Sequence, residues 1–498
     1  MFEAIVSASF KQPANFKIKE CQHMNTRKVE SITASYPKVD EGTVSSLLGS
    51  IRPDFRHKII VLDDDPTGVQ TVHNVSVYTD WEEATIEKAF LERSPLFFIL
   101  TNSRSFTAKE TEQVHRLIAE RIARISRKYE LPYVLISRGD STLRGHYPLE
   151  TDVLRRVLES QEGKGVDGEV IIPFFEEGGR LTISNIHFVR QGDELVPAGE
   201  TEFAKDRTFG YTSSHLGEWI EEKTNGQYPK ESVTYISLDS IRQLNIKAIE
   251  HQLMEVSGFG KVIVNALEET DIRIFTIALM RTIQKGKSFL FRTAAAFPKV
   301  IGEITSRPLL EREELIRSHS ENGGLIIVGS HVQKTTDQLS RLQALDGIHF
   351  IELDCHLVLH REAFIEEIKR VRLEAEEKVA QGITTVIYTR RERVDLGDGM
   401  EEEELKLSVT ISDSVTSIVR DFSVRPSYLI AKGGITSSDI GTKGLGVKHA
   451  TVAGQVAPGV PVWQTKSESK FPFIPYIIFP GNVGDVDTLK EVVLRLEK

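Results

Sequence analysis

Three consecutive aspartates, Asp63, Asp64 and Asp65, follow the apolar run Ile59–Leu62 and precede the tripeptide Pro-Thr-Gly. The apolar run predicts a buried parallel strand, and open α/β sheets bind ligands beyond the carboxyl ends of such strands. Adjacent carboxylates repel one another unless a metal ion, a proton or a cationic side chain compensates them. A helix cap would be a simpler interpretation, but a cap needs only one aspartate. The stretch therefore predicts a functional site.

Two further loops follow predicted strands and carry arginines, namely Thr101–Phe106 (TNSRSF) and Ser137–His146 (SRGDSTLRGH). Arginines bind a small carboxylate bidentately, while carboxylates and hydroxyl groups hold the hydroxyl groups of a polyol. For either loop alone, surface salt bridges are an equally good interpretation. If all three strand ends face one crevice, the loops predict a site for a sugar acid. The candidate side chains are Ser103, Arg104, Asp140, Ser141 and Arg144.

Glycine turns follow three apolar strands in the second half of the chain, at Gly329-Ser330, Gly433-Gly434 and Gly481. Backbone amides at such turns form anion sites, because glycine permits a close approach. The repetition predicts a ligand that carries phosphate. The generic nucleotide fingerprints are absent, since Arg281 and His449 stand where a P-loop and a dinucleotide fold need glycine.

A phosphatase is an alternative function for the aspartates. Asp63, Asp65 and Thr67 match the nucleophile motif of haloacid-dehalogenase-like phosphatases, with Asp63 as nucleophile and Asp65 as acid and base. Those enzymes need a metal-binding acidic pair in the same domain, whereas the nearest candidate, Gly484–Asp487, lies in the other half. A non-catalytic sugar-acid-binding protein is a third interpretation.

The elements that must position these residues alternate between strands and helices from Lys58 onward. Strand-like runs in the first half are Ile59–Leu62, Val75–Thr79, Leu96–Leu100, Tyr133–Ser137 and Glu169–Pro173. Helical patterns over Ala108–Tyr129 and Pro148–Ser160 separate several of them, which predicts βαβ units and a parallel sheet. The irregular stretch Phe174–Tyr211 predicts an inserted β-hairpin.

The polar stretch Pro298–Gly323 separates two such patterns, and 498 residues exceed the size at which a single core stops growing. We therefore predict two α/β domains, each with a mostly parallel sheet, the N-terminal one with a β-rich insertion. The predicted segments are an N-terminal extension (1–57), a first domain (58–310) and a second domain (320–498), with a peripheral helix near Val44–Ile51.

The composition argues against several classes of protein. A net charge of −10 and the lack of a basic run with interleaved aromatic residues argue against a nucleic-acid partner. Cys21 and Cys355, far apart in sequence, support neither a disulfide framework nor a zinc site. Neither a secretory signal nor an apolar run of the roughly 20 residues needed for a membrane span is found. A cytoplasmic protein is expected.

Seven motifs together resemble the four-carbon acid sugar kinase family, in the order found in that family. They are DDDPTG, TNSR, SRGDSTLRG, ETEFAKDRTFGY (Glu200–Tyr211), KGGIT, PGVP and PGNVG. The resemblance implies a sugar-acid-binding N-terminal domain, an ATP-binding C-terminal domain and chemistry in the cleft between them. Two departures bear on the substrate: Asp63 stands before the aspartate pair where relatives have alanine, and Lys205 stands where arginine is expected.

Carried over by position, the resemblance implies ATP contacts at Ser330, Gly433, Gly434, Ile435, Thr436 and Gly481. It implies substrate contacts at Asp64, Asp65, Ser103, Arg104, Asp140, Ser141 and Arg144. The expected reaction is ATP-dependent phosphorylation of a threonate, an erythronate or a 3-oxo-tetronate. Asp64 or Asp65 is expected to be the base, Arg104 and Arg144 to bind the acid, and Mg²⁺ to bridge the ATP phosphates. Symmetric pairs are the commonest oligomers, so a homodimer is expected.

Overall fold

The computed structural model describes residues 32, 34–316, 321–392, 394, 401–481 and 483–497. Residues 1–31 and 33 of the predicted N-terminal extension lie outside the described residues. Among the described helices, none is both long enough and apolar enough to cross a membrane.

The strands are β1 (Lys58–Asp63), β2 (Val75–Tyr78), β3 (Leu96–Leu100), β4 (Tyr133–Arg138), β5 (Gly168–Ile172), β6 (Arg180–Ile183), β7 (Ile186–Gln191), β8 (Glu194–Pro197), β9 (Thr234–Ile236), β10 (Gly260–Val264), β11 (Phe289–Thr293), β12 (Leu325–Val328), β13 (His349–Leu353), β14 (Thr385–Thr389), β15 (Leu429–Lys432), β16 (His449–Ala457), β17 (Val460–Thr465) and β18 (Pro475–Phe479).

The α-helices are α1 (Glu41–Ile51), α2 (Glu83–Leu91), α3 (Ala108–Tyr129), α4 (Leu149–Glu162), α5 (Leu216–Lys223), α6 (Leu238–Arg242), α7 (Ile246–Glu255), α8 (Glu269–Gln284), α9 (Ala296–Ile301), α10 (Arg312–Leu315), α11 (Gln333–Leu342), α12 (Arg361–Ala380), α13 (Glu401–Asp421), α14 (Gly434–Asp439) and α15 (Thr488–Glu497).

The first half of the chain forms parallel strands in the order β2-β3-β1-β4-β11-β5-β10-β9. The central strands are rich in Val, Ile, Leu and Phe and are buried along their whole length, as expected for a sheet covered on both faces. In the register, Asp63 at the end of β1 stands opposite Leu100 and Arg138 at the ends of β3 and β4. The three loops with candidate side chains therefore begin at the same level of the sheet.

The second half of the chain forms five neighbouring parallel strands in the order β13-β14-β12-β15-β18. Beside β18, the strands β17 and β16 extend the sheet in antiparallel orientation. Lys432 at the end of β15 stands opposite Val328 of β12 and Phe479 of β18. Because these three strands are neighbours, the three glycine turns that follow them lie side by side.

The two halves share one sheet. Strand β2 of the first half pairs antiparallel with β16 of the second, with Ser76 opposite Thr451 and Tyr78 opposite His449. The described strands outside the insertion thus form a continuous 15-stranded sheet. The predicted α/β fold with mostly parallel sheets is confirmed, whereas the pairing of the two sheets edge to edge was not predicted.

The insertion is a three-stranded antiparallel sheet in the order β6-β7-β8, one strand more than the predicted hairpin. The additional strand is β6, and the tight turn Ser184-Asn185 joins it to β7. Both residues of this turn have positive φ. Asparagine tolerates that conformation, but the dipeptide lacks the glycine that usually marks such a turn in a sequence.

The peripheral helix predicted near Val44–Ile51 is α1. Asp40 caps it by accepting a hydrogen bond from the Thr43 backbone N–H, and its apolar face packs against α8. On the other side of the sheet, α3 begins at a capping box of Thr107 and Glu110, and its bounds agree with the predicted helix.

Candidate functional site

Arg104 holds two of the three consecutive aspartates. Its Nε and Nη2 donate to the two oxygens of Asp64 at 3.1 and 2.7 Å, and Nη1 donates to Asp65 Oδ2 at 3.2 Å. Asp65 Oδ1 also accepts from the Thr67 backbone N–H at 2.8 Å, so the capping interpretation is right for this oxygen. Burial raises the pKa of Asp65, but Arg104 and Thr67 outweigh it and leave the pKa below its ordinary value.

Asp63 lies in a different environment from the other two aspartates. Its side chain is buried and accepts a hydrogen bond from Arg138 Nη1 at 3.1 Å. A β-carbon on Gly68 would fall 2.1 Å from both Asp63 carboxylate oxygens, so the backbone at Gly68 covers this carboxylate. Burial raises the pKa of Asp63 to about 7, although Arg138 opposes the shift. A covered carboxylate is poorly suited to be the nucleophile of the phosphatase alternative.

The loop after β4 brings Asp140 and Arg144 to the same crevice. Arg144 Nε donates to Asp140 Oδ2 at 2.8 Å, and Arg104 Nη1 lies 4.0 Å from Asp140 Oδ1. Burial raises the pKa of Asp140, but the two guanidinium groups outweigh it and leave the pKa well below its ordinary value. Ser141 is buried in the same loop, and its carbonyl oxygen lies 2.8 Å from His187 Nε2 of the insertion.

A buried network beneath these loops was not predicted. Glu150 of α4 accepts hydrogen bonds from Ser103 Oγ at 2.8 Å and from Arg292 Nη1 at 2.6 Å. Arg292 Nη2 also donates to the Arg144 carbonyl oxygen at 3.0 Å. A β-carbon on Gly139 would fall 2.2 Å from the Arg292 guanidinium, so this glycine lets the loop lie directly on the arginine. The only signal in the sequence was an arginine near the end of an apolar strand.

The glycine turns of the second half fit closely around Ser330 and Thr436. Gly433 has a φ of 127°, a conformation that side chains disfavour, and a β-carbon there would lie 3.0 Å from Ser330 Cβ. A β-carbon on Gly481 would lie 2.9 Å from Ser330 Oγ, and one on Gly329 would lie 2.3 Å from Thr436 Oγ1. The backbone amides of these turns are thereby brought close together, as an anion site requires.

Lys432 lies directly behind two of the turns. Its Nζ is buried and donates to the Pro480 carbonyl oxygen at 2.7 Å, with the Gly481 carbonyl oxygen at 3.4 Å. The ammonium group also stands 4.0 Å from the centre of the Phe479 ring. Burial lowers the pKa of Lys432 to about 6, and Lys334 acts in the same direction. Lys432 therefore positions the turn at Gly481 and was missed as a site residue, although it is part of the KGGIT motif.

A cavity of about 440 Å³ opens at these turns. The glycine turns form its polar side, and α13 forms an apolar side with Leu407, Ile411 and Val415. The predicted ATP-site residues that line the cavity are Ser330, Gly433, Gly434, Ile435 and Thr436, and Gly481 adjoins it through Ser330. A polar end that suits phosphate and an apolar wall that suits a base are the features a nucleotide site combines.

The carboxylate crevice and the cavity meet at one point. Helix α14, which begins at Gly434, packs against the turn Pro66–Val69 that follows the aspartates. A β-carbon on Gly434 would lie 3.5 Å from Asp65 Oδ2. The structure therefore places Asp65, one of the predicted substrate residues, next to Gly434, one of the predicted ATP residues.

Mg²⁺ would fit this junction only if the ATP phosphates and water molecules supplied most of its ligands. Among the described residues, no group of three or more His, Cys, Asp or Glu side chains is arranged to hold a metal ion. Magnesium at phosphoryl-transfer sites is commonly held by one or two carboxylates, the substrate phosphates and several waters. Because Asp65 Oδ2 already accepts a hydrogen bond from Arg104 Nη1, Mg²⁺ at this junction would be held mainly by the ATP phosphates and waters.

Comparison with known proteins gives the family. A sugar-binding N-terminal domain matches residues 59–301, and a nucleotide-binding C-terminal domain matches residues 325–489. The D-erythronate kinase of Heliobacterium modesticaldum is 24% identical over 319 residues, which cover 63% of this chain and 66% of that protein. The chain thus aligns with slightly less than two thirds of this curated relative.

Two solved structures share the fold. A protein of Salmonella typhimurium LT2, solved under the provisional name of a tRNA synthase, has a TM-score of 0.64 at 16% identity, covering 88% of this chain and 98% of that one. A Haemophilus influenzae protein from a domain family of unknown function has a TM-score of 0.55 at 16% identity, covering 88% and 100%. At such identities the likeness concerns the fold alone. With both domain matches in the expected order, the chain belongs to the four-carbon acid sugar kinase family.

Proposed function

We propose that this protein is an ATP-dependent kinase that phosphorylates a hydroxyl group of a small sugar acid of the threonate, erythronate or 3-oxo-tetronate type. The observation that carries the proposal is the contact between Asp65 and Gly434, where a β-carbon on the glycine would be 3.5 Å from the carboxylate. A carboxylate that could accept a proton thereby adjoins a glycine turn that could hold phosphate. The descriptions of the two matching domains support a sugar acid bound by the first half of the chain and a nucleotide bound by the second.

Phosphoryl transfer asks mainly for positioning and charge neutralisation, with a base that accepts the hydroxyl proton. We assign the base to Asp65, because its lowered pKa keeps it ionised at neutral pH and its Oδ2 faces the nucleotide side. Asp64 is fully engaged by Arg104 and serves to hold that arginine in place. Mg²⁺, when bound with ATP, would neutralise charge on the phosphates.

On the substrate side, Asp140, Ser141 and Arg144 lie in the loop after β4, and they would bind the hydroxyl groups and the charge of the acid. Ser103 is buried and donates its hydroxyl to Glu150, so it would support the site from beneath. The D-erythronate kinase relative makes D-erythronate the first acid to test. The scarcity of cysteine remains consistent with the predicted cytoplasmic location, and the homodimer remains a prediction.

ADP release tests the proposal across a panel of threonates, erythronates, 3-oxo-tetronates and branched five-carbon acids. We expect ADP only when ATP and one of these acids are both present. Release of phosphate from phosphorylated acids without ATP would instead support the phosphatase. Binding of an acid without any turnover would support a sensor.

The double variant Asp64→Asn, Asp65→Asn tests the assignment of the carboxylates. Removing a general base costs roughly 10²- to 10⁴-fold in rate, so turnover should be lost while ATP still binds. Asp193→Asn, at an exposed turn of the insertion, is the control and should retain full activity. Full activity in the double variant would contradict the assignment.

A further inference from the structure

The insertion is fastened to the loop that carries Asp140, Ser141 and Arg144. The Tyr211 hydroxyl donates to the Thr142 carbonyl oxygen at 2.7 Å, and His187 Nε2 lies 2.8 Å from the Ser141 carbonyl oxygen. Asp206 Oδ2 stands 3.8 Å from Arg144 Nη1. These contacts fix the insertion at the edge of the crevice, so side chains of β6 have a defined position beside it.

Arg180, the first residue of β6, reaches this edge. Its guanidinium carbon lies 5.7 Å from the centre of the Phe203 ring, and that of Arg144 lies 5.1 Å from the same ring centre. The two guanidinium groups therefore share one aromatic platform. The side chain of Arg180 is only partly exposed, and its Nη1 donates to the Gly178 carbonyl oxygen.

The other four arginines of the site each have a carboxylate partner. The pairs are Arg138 with Asp63, Arg104 with Asp64, Arg144 with Asp140 and Arg292 with Glu150. Arg180 forms no ion pair with any carboxylate of the described residues, and its buried Nε has no hydrogen-bond partner among them. Burial leaves the pKa of Arg180 below its ordinary value and outweighs the attraction of Asp140, which lies beyond ion-pairing distance. A desolvated guanidinium group without an anion is costly, which indicates that an anion completes the site.

We infer that Arg180 binds the carboxylate group of the sugar acid, with Phe203 holding the guanidinium plane and Arg144 beside it. This inference rests on the proposed function for the identity of the ligand. It differs from the expectation that Arg104 binds the acid, because three nitrogens of Arg104 already donate to Asp64 and Asp65. Arg180 is then a specificity-determining residue that selects acids over neutral polyols.

Binding of the acid to the full-length protein, measured by calorimetry in the absence of ATP, tests Arg180 directly. The probes are D-erythronate, or the member of the panel that binds most tightly, and the primary amide of the same acid. A charge-assisted hydrogen-bonded pair is worth a roughly 10- to 100-fold difference in Kd, so wild type should prefer the acid to the amide by that factor. Arg180→Gln should lose the preference, and Arg180→Lys should retain part of it.

Arg190→Gln, an exposed arginine on β7 of the same insertion, is the matched control and should bind the acid like wild type. An unchanged preference for the acid in Arg180→Gln would overturn the inference, as would equal binding of acid and amide by wild type. These outcomes are separate from the proposed function. ADP release with an unchanged Arg180→Gln would contradict the inference alone, whereas Arg180-dependent binding without ADP release would contradict the kinase alone.

Discussion

Each buried aspartate of the consecutive three lies beside an arginine. Two carboxylates that end up within a few ångströms of each other in a low-dielectric interior require cations, and the chain supplies Arg138 for Asp63 and Arg104 for Asp64. Asp65 is the exception, since it shares Arg104 and faces the second half of the chain. Asp65 is therefore the aspartate that we propose as the base, and Asp63 and Asp64 are held by their own arginines.

The pH dependence of stability should report on Asp63. Its folded pKa is about 7, raised chiefly by burial, while the ordinary value is 3.8. Between these values the folded protein keeps a proton that the unfolded chain has released, so the free energy of unfolding should fall as pH rises from about 4 to about 7. Asp63→Asn removes this contribution, which amounts to about 1.4 kcal/mol per pH unit between the two pKa values.

Denaturant unfolding of wild type and Asp63→Asn at pH 5, 6, 7 and 8 would measure it. The stability of wild type relative to the variant should decline between pH 5 and pH 7 and level off above that range. Asp54→Asn, at an exposed position of the same half, should follow the wild-type curve. Parallel curves for wild type and Asp63→Asn would show that Asp63 stays ionised throughout.

Residues adjacent in sequence could be predicted as a site because a single strand end presents them together. Asp64, Asp65, Arg104, Asp140 and Arg144 were predicted in this way, and the structure places them next to one another. Glu150, Arg292 and Arg180 could not be found, because each lies inside a helix or strand whose pattern gives no sign of its neighbours across the sheet. Only the packing of α4, β11 and β6 brings them to the crevice.

At the level of elements, the turn at Gly433-Gly434 is where the second half of the chain approaches Asp65 of the first half. Replacing Gly434 by alanine adds a methyl group at ordinary van der Waals distance, 3.5 Å from Asp65 Oδ2, so the fold should tolerate it. The methyl group would nevertheless occupy the space between the proposed base and the proposed nucleotide site. We expect kcat/KM to fall roughly 10- to 100-fold, because small displacements of reacting groups have effects of that size.

Steady-state ADP release and thermal unfolding of Gly434→Ala would check this expectation, with the stability change within about 0.5 kcal/mol. The control is Gly49→Ala in α1, where a β-carbon has nothing within 4 Å and φ is not positive. Normal turnover by Gly434→Ala would mean that phosphate does not pass between Gly434 and Asp65.

The three glycine turns were predictable because glycine follows each strand directly or, after β18, one residue later. The apolar wall contributed by α13 was not, because the side chains Leu407, Ile411 and Val415 have a spacing that equally suits an ordinary core-facing helix. The sequence thus indicated the glycine-lined end of the cavity and gave no indication of the opposite wall.

At the level of the whole molecule, the backbone pairing of β2 with β16 joins the two halves in one continuous sheet. If this pairing persists in solution, the backbone amides of Val75–Tyr78 and His449–Val452 should exchange hydrogen as slowly as those of β1. Protection of this kind is expected of strands that open only in global unfolding.

Hydrogen exchange followed by mass spectrometry would compare these peptides with the exposed strand residues of the insertion. Exchange in β2 and β16 that is much faster than in β1 would indicate that the halves separate at this junction. The pairing could not be predicted, since neither strand differs in pattern from others and 377 residues separate Val75 from its partner Val452.

That separation also has a consequence in time. A ribosome adds about 5–20 residues per second, so roughly 20 to 75 s pass between the synthesis of β2 and that of its partner β16. During this interval the newly made first half carries an unpaired strand edge, which is the kind of surface that nascent chains on neighbouring ribosomes could join. Fast translation of the second half, or a chaperone that shields β2, would therefore favour the yield of folded protein.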